Sequence, residues 1–103
     1  MMIKLNEGWV RLTKICPFNY EISYIETYVW ARGKGIGSKL LNKVIQFAHK
    51  KNVTIFAFID PHSQSPLNKE TERAWLKRYG FKNCPDDFYF ISRPKETMVY
   101  IPK

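Results

Sequence analysis

Residues 20–50, YEISYIETYVW-ARGKGIGSK-LLNKVIQFAHK, set the architecture of this chain. The first part, residues 20–30, is rich in aromatic and β-branched side chains, which is typical of a strand. Alternation along that strand predicts one face made of Ile22, Tyr24, Glu26 and Tyr28, and an opposite face made of Ser23, Ile25, Thr27 and Val29. The last part predicts an amphipathic helix, because its apolar residues recur at helical spacing. These residues are Leu40, Leu41, Val44, Ile45 and Ala48.

A glycine-rich segment joins the predicted strand to the predicted helix. Such a turn directs unpaired backbone N–H groups and the positive end of the helix dipole at one point, which favours an anion. Alternate glycines allow phosphate oxygens to approach several amides closely, because glycine has no Cβ. The segment therefore predicts a phosphate-binding loop. Its members are Arg32, Gly33, Lys34, Gly35, Ile36, Gly37 and Ser38.

Two familiar phosphate-binding patterns do not fit this segment. The P-loop pattern requires a Gly-Lys-Ser/Thr ending that starts five residues after its first glycine, and five residues after Gly33 stands Ser38. The dinucleotide pattern G-x-G-x-x-G fails at the same place, because Ser38 stands where the third glycine belongs. The loop is thus neither a Walker A loop nor a standard Rossmann turn.

The flanking sequence extends this unit on both sides. Residues 9–15 predict a strand that forms a hairpin with residues 20–30 after a turn at Pro17 and Asn19. Residues 53–60 form an almost unbroken apolar run, which is typical of a strand covered on both faces and completes a βαβ unit. A second helix is expected with Leu67, Ala74 and Trp75 buried, starting at Ser65 or Asn68 and ending at a left-handed Gly80. Residues 81–101 predict one or two further strands, 97–101 most clearly. The fold class is therefore α/β with a mixed sheet.

Composition limits the classes of protein that remain. With 103 residues, of which 45% are apolar, the chain predicts one domain over residues 1–103. The net charge of +8 favours anionic partners such as a phosphorylated cofactor, nucleic acid or an acidic protein surface. Cys16 and Cys84 cannot form a disulfide framework, and neither they nor His49 and His62 have metal-ligand spacing, so we expect no metal site and a reducing, cytoplasmic location. No apolar stretch is long enough to span a membrane.

The pattern that does fit the loop is Arg-x-x-Gly-x-Gly, formed by Arg32, Gly35 and Gly37. It resembles the acyl-CoA-binding motif of the Gcn5-related N-acetyltransferases, the GNAT superfamily. Residues 73–81, RAWLKRYGF, are similar to the end of that family's second conserved helix, and the order of elements over residues 9–101 follows the family. The resemblance implies a mixed, splayed sheet with two main helices. It also implies that the family's first strand and two N-terminal helices are missing before Trp9, as in the short phage-encoded members.

The resemblance further implies the site. In this family the strand end before the loop contacts the pantetheine arm and the loop holds the pyrophosphate of acetyl-CoA. The cofactor-binding residues implied here are Thr27, Tyr28, Val29, Arg32, Gly33, Lys34, Gly35, Ile36, Gly37, Ser38 and Asn68. Glu26 is the implied base, with a surface or salt-bridged carboxylate as the alternative. The family's tyrosine acid is absent, because its position holds Leu76, and Tyr79 is expected to serve packing.

These expectations define the functional hypothesis and its rivals. The leading one is an N-acetyltransferase that moves the acetyl group of acetyl-CoA by direct attack of a primary amine. The basic chain repels free polyamines but tolerates a protein lysine, which is the expected acceptor, or an aminoacyl group on tRNA. One alternative is a module that binds acyl-CoA, or another protein, without catalysis. Another is a nucleic-acid binder, although no known motif supports it. An exposed sheet edge makes a homodimer a further expectation.

Overall fold

The computed structural model describes residues 1–27, 35–59, 69–85 and 96–102, without the side chains of Glu26, Thr27, Lys69 and Thr71. Within these ranges the chain forms six strands and two helices. In chain order they are β1 (Met2–Leu5), β2 (Gly8–Cys16), β3 (Asn19–Thr27), α1 (Ile36–Lys51), β4 (Thr54–Phe58), α2 (Lys69–Arg78), β5 (Lys82–Asn83) and β6 (Thr97–Tyr100).

All described strands join one mixed sheet in the order β1-β2-β3-β4-β6-β5. The β3–β4 pair is parallel, while the other pairs are antiparallel. Parallel neighbours need a crossover connection, and α1 supplies it. The predicted α/β class and the central βαβ unit are therefore confirmed.

The predicted hairpin is present, and one more strand precedes it. β2 pairs with β3 from Gly8↔Thr27 to Cys16↔Asn19. β1 pairs with β2 on the other side, from Met2↔Arg11 to Leu5↔Gly8. The expectation that no strand precedes Trp9 is therefore wrong: four residues suffice for an edge strand, because β2 supplies all its backbone partners.

The predicted strand alternation fails inside β3. Ile22 and Ile25 both pack against the main hydrophobic cluster, although the pattern placed them on opposite faces. The register explains this: Arg11 pairs with Tyr24 and the next residue, Leu12, pairs with Ile22, so Ser23 is an extra residue. Such a β-bulge shifts the alternation by one position.

The helix α1 buries the stripe that its spacing predicts. Five of its residues are buried in the main cluster, and Ile45 packs against that cluster. β4 is covered on both faces as expected, because Ile55 and Ala57 belong to the main cluster while Phe56 belongs to a second one with Cys84 and Val99. The five buried residues of α1 are Ile36, Leu40, Leu41, Val44 and Ala48.

The buried face of α2 differs from the prediction. Ala74 is exposed and Leu76 is 4% exposed, while Trp75 is half-buried. Since successive residues turn by about 100°, Ala74 and Leu76 lie on nearly opposite sides of the helix, and the larger apolar side chain occupies the core. Leu67, Ser65 and Asn68 lie outside the described residues.

The end of α2 follows the prediction. Gly80 adopts a left-handed conformation with φ 94°, and Phe81 N–H donates to the Leu76 carbonyl over 3.1 Å. A Cβ at Gly80 would lie 3.0 Å from Cε2 of Tyr100, so both backbone and space require glycine here.

Candidate functional site

The sheet opens between β3 and β4. The two strands pair only from Asn19↔Thr54 to Ile22↔Ala57. β3 then continues to Thr27 with β2 as its partner, while β4 pairs with β6 on its far side. Beyond Ile22 one side of β3 therefore has no paired strand in the described part of the chain. An unpaired strand side offers backbone N–H and C=O groups to a ligand.

The bulge lies where the opening begins. Ser23, the extra residue, directly follows the last residue of β3 that pairs with β4. A bulge bends its strand and increases the local twist, so β3 bends at the point where its pairing with β4 ends. The Ser23 and Thr13 hydroxyl groups share a hydrogen bond across β2 and β3. The bulge and the opening between β3 and β4 thus begin at the same position in the strand.

The start of α1 is the second part of the site. Gly35, the N-cap, has φ 73° and ψ 20°, and no side chain of the described residues caps the helix. In the first backbone hydrogen bond of the helix, Lys39 N–H donates to the Gly35 carbonyl over 3.1 Å. The N–H groups of Ile36, Gly37 and Ser38 come before that bond and have no acceptor within the helix. The first turn contains no acidic residue, so its electrostatics favour an anion.

The helix α2 supports this helix start through Trp75. Its Nε1 donates to Ser38 Oγ over 3.2 Å. A Cβ built at Gly37 would lie 3.5 Å from Cζ2 of the indole, so the ring lies against that glycine. Tyr79 contacts the indole edge-on, with ring centroids 6.0 Å apart. No local sequence pattern predicts the contact between Trp75 and Ser38, because it joins residues far apart in the chain.

The predicted cofactor residues divide into two groups. Gly35, Ile36, Gly37 and Ser38 lie together at the start of α1. Ile36 is 2% exposed, so its side chain is not available to a ligand. Outside the described residues lie Tyr28, Val29, Arg32, Gly33, Lys34 and Asn68.

The predicted base is placed by its backbone alone. Glu26 and Thr27 lie at the end of β3, in the stretch that has no described strand paired with it on the β4 side. On the other side they pair with Trp9 and Gly8 of β2. Their side chains lie outside the description, so the role of Glu26 stays a prediction.

Leu76, which stands where the GNAT family often has a tyrosine, is part of the hydrophobic core. Leu76 is 4% exposed and belongs to the main cluster, so this part of α2 presents no proton donor to a ligand. Tyr79 is half-buried, packs on the same cluster and contacts Trp75, which confirms its predicted packing role.

Other predicted features lie away from this edge of the sheet. His49 Nε2 is 2.5 Å from the Tyr100 hydroxyl, which is a local contact of α1 with β6. Among the described residues no group of three His, Cys, Asp or Glu side chains is arranged to hold a metal ion. Neither described helix has the length and hydropathy that crossing a membrane requires. Both cysteines are free thiols, and Cys16 Sγ accepts a hydrogen bond from Asn19 over 2.8 Å.

The arrangement matches known proteins. The sequence profile of the Acetyltransferase (GNAT) family matches residues 3–81. The solved structure of the anti-CRISPR protein AcrVA5 is similar, with a TM-score of 0.71 and 22% identity over 97% of this chain and 96% of that protein. A search of curated protein sequences finds no significant match.

Two similar structures contain coenzyme A. N-acetylglutamate synthase from Neisseria gonorrhoeae, in complex with coenzyme A and L-arginine, has a TM-score of 0.64 and 20% identity, over 93% of this chain and 22% of its own length. The acetyltransferase YhbS from Escherichia coli, in complex with CoA, has a TM-score of 0.60 and 13% identity, over 91% of this chain and 51% of its own length. At these identities the likeness shows a common fold.

Proposed function

The chain belongs to the GNAT family of acetyltransferases, and from this premise we propose that it transfers the acetyl group of acetyl-CoA to a primary amine on a macromolecule, with a protein lysine as acceptor. Family membership supports N-acetyltransferase activity in general, and similar folds that hold coenzyme A support acetyl-CoA as co-substrate. The observation that carries the proposal is the opening between β3 and β4 at the edge of the sheet where α1 begins uncapped.

The residues present fit this co-substrate. Three N–H groups, those of Ile36, Gly37 and Ser38, have no acceptor within α1 and suit the diphosphate. The unpaired side of β3 after Ile22 suits the amide-containing pantetheine arm, which pairs with backbone as a strand does. Acetyl-CoA supplies an activated thioester, and the chain's contribution is to hold and orient it.

The reaction needs one proton removed and one supplied. The amine nitrogen attacks the thioester carbonyl, a C–N bond forms and the C–S bond breaks. Glu26, on the unpaired end of β3, takes the amine proton, directly or through a water. The CoA thiolate takes a proton from water, because Leu76 occupies the position of the family's acid and is buried.

The acceptor class follows from charge and exposure. The net charge of +8 disfavours a free polyamine. On the sheet face opposite Val10 and Leu12, the adjacent residues Met2, Arg11 and Tyr24 are exposed, Tyr24 to 51%. An open face beside the proposed base favours a macromolecule over a small enclosed acceptor.

Mass spectrometry of acetyl transfer tests the activity. The protein is mixed with acetyl-CoA and a panel of lysine peptides, blocked peptides without lysine, and spermidine. We expect transfer to lysine alone, and a loss of about 100-fold in Glu26→Gln, the size typical of general-base catalysis. Glu21→Gln is the matched control, because Glu21 lies on the paired part of β3 and should leave the rate unchanged. Equal rates for Glu26→Gln and the parent protein would exclude Glu26 as the base.

The buried Leu76 favours a second candidate, a module that binds acyl-CoA without catalysis. Calorimetric binding of CoA with no transfer to any acceptor would support this candidate against the first. The expected homodimer and cytoplasmic location stay predictions, and sedimentation and cell fractionation test them.

A further inference from the structure

We propose that Trp75 is a positioning residue for the diphosphate of CoA, and that it acts by fixing the hydroxyl of Ser38 as a hydrogen-bond donor. The inference rests on the proposed function, since it concerns the same ligand. It assigns a role to a residue of α2 that the glycine-loop motif does not include.

The chemistry of the two groups sets the direction of the effect. An indole N–H only donates, whereas a serine hydroxyl both donates and accepts. With Trp75 Nε1 donating to Ser38 Oγ over 3.2 Å, one lone pair of that oxygen is occupied. The hydroxyl then meets a ligand at the helix start as a donor, which suits an anion.

The surroundings of Trp75 hold the indole in this orientation. The ring lies against Gly37, where a Cβ would be 3.5 Å from Cζ2. Tyr79 contacts it edge-on, and the neighbouring Leu76 anchors α2 in the core. A side chain fixed on several sides loses little further freedom when a ligand binds, so its effect appears in affinity.

The position of Ser38 makes this contact relevant to binding. Ser38 is the last of the three residues whose N–H groups come before the first backbone hydrogen bond of α1. Its hydroxyl is therefore close to those three donors in the chain. A fourth donor there adds a charge-assisted hydrogen bond to the diphosphate.

Calorimetry with CoA and with pantetheine, which lacks the diphosphate, tests the inference. Trp75→Phe keeps the ring and removes the N–H, and Ser38→Ala removes the hydroxyl. Each is expected to weaken CoA binding about tenfold and to leave pantetheine binding unchanged. The double variant should bind no more weakly than either single one, because both changes break the same interaction. Ser38→Thr should retain the affinity.

Trp9→Phe is the matched control, because Trp9 lies on β2, stacked on Tyr24, away from the start of α1. Equal CoA affinity for Trp75→Phe and the parent protein would overturn the positioning role and leave the proposed function standing. Additive losses in the double variant, or equal losses for CoA and pantetheine, would also overturn it. If the parent protein bound no CoA, the proposed function itself would fail. Should Trp75→Phe not fold, the Ser38→Ala and Ser38→Thr pair decides the question.

Discussion

The two ends of α1 are built in opposite ways. At its C-terminal end Asn52 takes a left-handed φ of 53°, and the N–H groups of Asn52 and Val53 both donate to the Ala48 carbonyl. The last turn holds His49, Lys50 and Lys51, which suit the negative end of the dipole. At its N-terminal end Gly35 also takes a left-handed φ, but within the described ranges no side chain caps the helix, and no acidic residue lies in the first turn.

This difference separates stability from binding. The C-terminal end closes with two hydrogen bonds to the Ala48 carbonyl and has basic residues at the negative end of the dipole, so it contributes to the stability of the fold. The N-terminal end leaves donors and positive potential available for an external anion, at a cost in helix stability that capping would otherwise recover. Substitutions at the two ends should therefore move different measurements.

The largest effect on stability is expected at Gly80, which follows α2 and lies against Tyr100. Gly80→Ala places a Cβ 3.0 Å from the Tyr100 ring at a φ of 94°. We expect a loss of about 2–3 kcal/mol in the free energy of unfolding, from the left-handed strain and the crowding together. Urea denaturation measures it. A loss below about 1 kcal/mol would show that the Tyr100 ring moves aside freely.

A charge reversal at each end gives the sharpest contrast. Lys39→Glu puts a carboxylate near the start of α1, and we expect about tenfold weaker CoA binding at low salt together with an unchanged or slightly higher melting temperature. The binding loss should shrink as salt is added. Calorimetry and thermal denaturation measure the two quantities.

Lys50→Glu is the matched control in the last turn of α1. It should lower the melting temperature slightly, because it opposes the helix dipole, and leave CoA binding unchanged. If both reversals weakened binding equally, net charge rather than position would govern the affinity.

Two alanine substitutions compare the left-handed residues directly. Gly35→Ala and Asn52→Ala each force alanine into positive φ, and each should cost about 1 kcal/mol of stability. No atom of the described residues lies within 4 Å of a Cβ at Gly35, so we expect the left-handed backbone to be the main source of strain there. Only Gly35→Ala should also weaken CoA binding. Equal binding in both variants would mean that the conformation of Gly35 does not serve the ligand.

The smallest effect is expected for Tyr100→Phe. It removes the hydroxyl that bonds to His49 and keeps the ring that packs on Phe81. A solvent-exposed hydrogen bond contributes about 0.5 kcal/mol, and CoA binding should not change. A measurable change in CoA binding would show that the C-terminal end of α1 influences the site at its N-terminal end.

The sequence predicted those parts of the fold that local spacing determines. The apolar stripe of α1, the strand at residues 54–58 and the left-handed Gly80 all follow from patterns within a few residues. The donors at the start of α1 follow in the same way, since a glycine-rich turn before a helix leaves them free.

The errors arose where distant residues decide. The spacing of residues 20–30 does not indicate that Ser23 has no pairing partner on β2. The predicted alternation of faces is therefore wrong after Ile22. The burial of Leu76 in place of Ala74 depends on the angle at which α2 packs. The contact of Trp75 with Ser38 has no local signature either. The packing of α2 was thus harder to predict than the extent and buried stripe of α1.

The bulge at Ser23 divides β3 into two parts, or phases, that differ in which residues face the core. Before it the inward positions are even-numbered, as Tyr20 and Ile22 show, and after it they are odd-numbered, as Ile25 shows. A polar replacement tolerated at an odd position in the first phase would therefore be buried in the second. Because Ser23 has no partner on β2, deleting it would leave Arg11↔Tyr24 and Leu12↔Ile22 paired as they are and would remove the bulge between them. A deletion here would therefore act on the strand beside the opening without touching any residue of the glycine-rich loop.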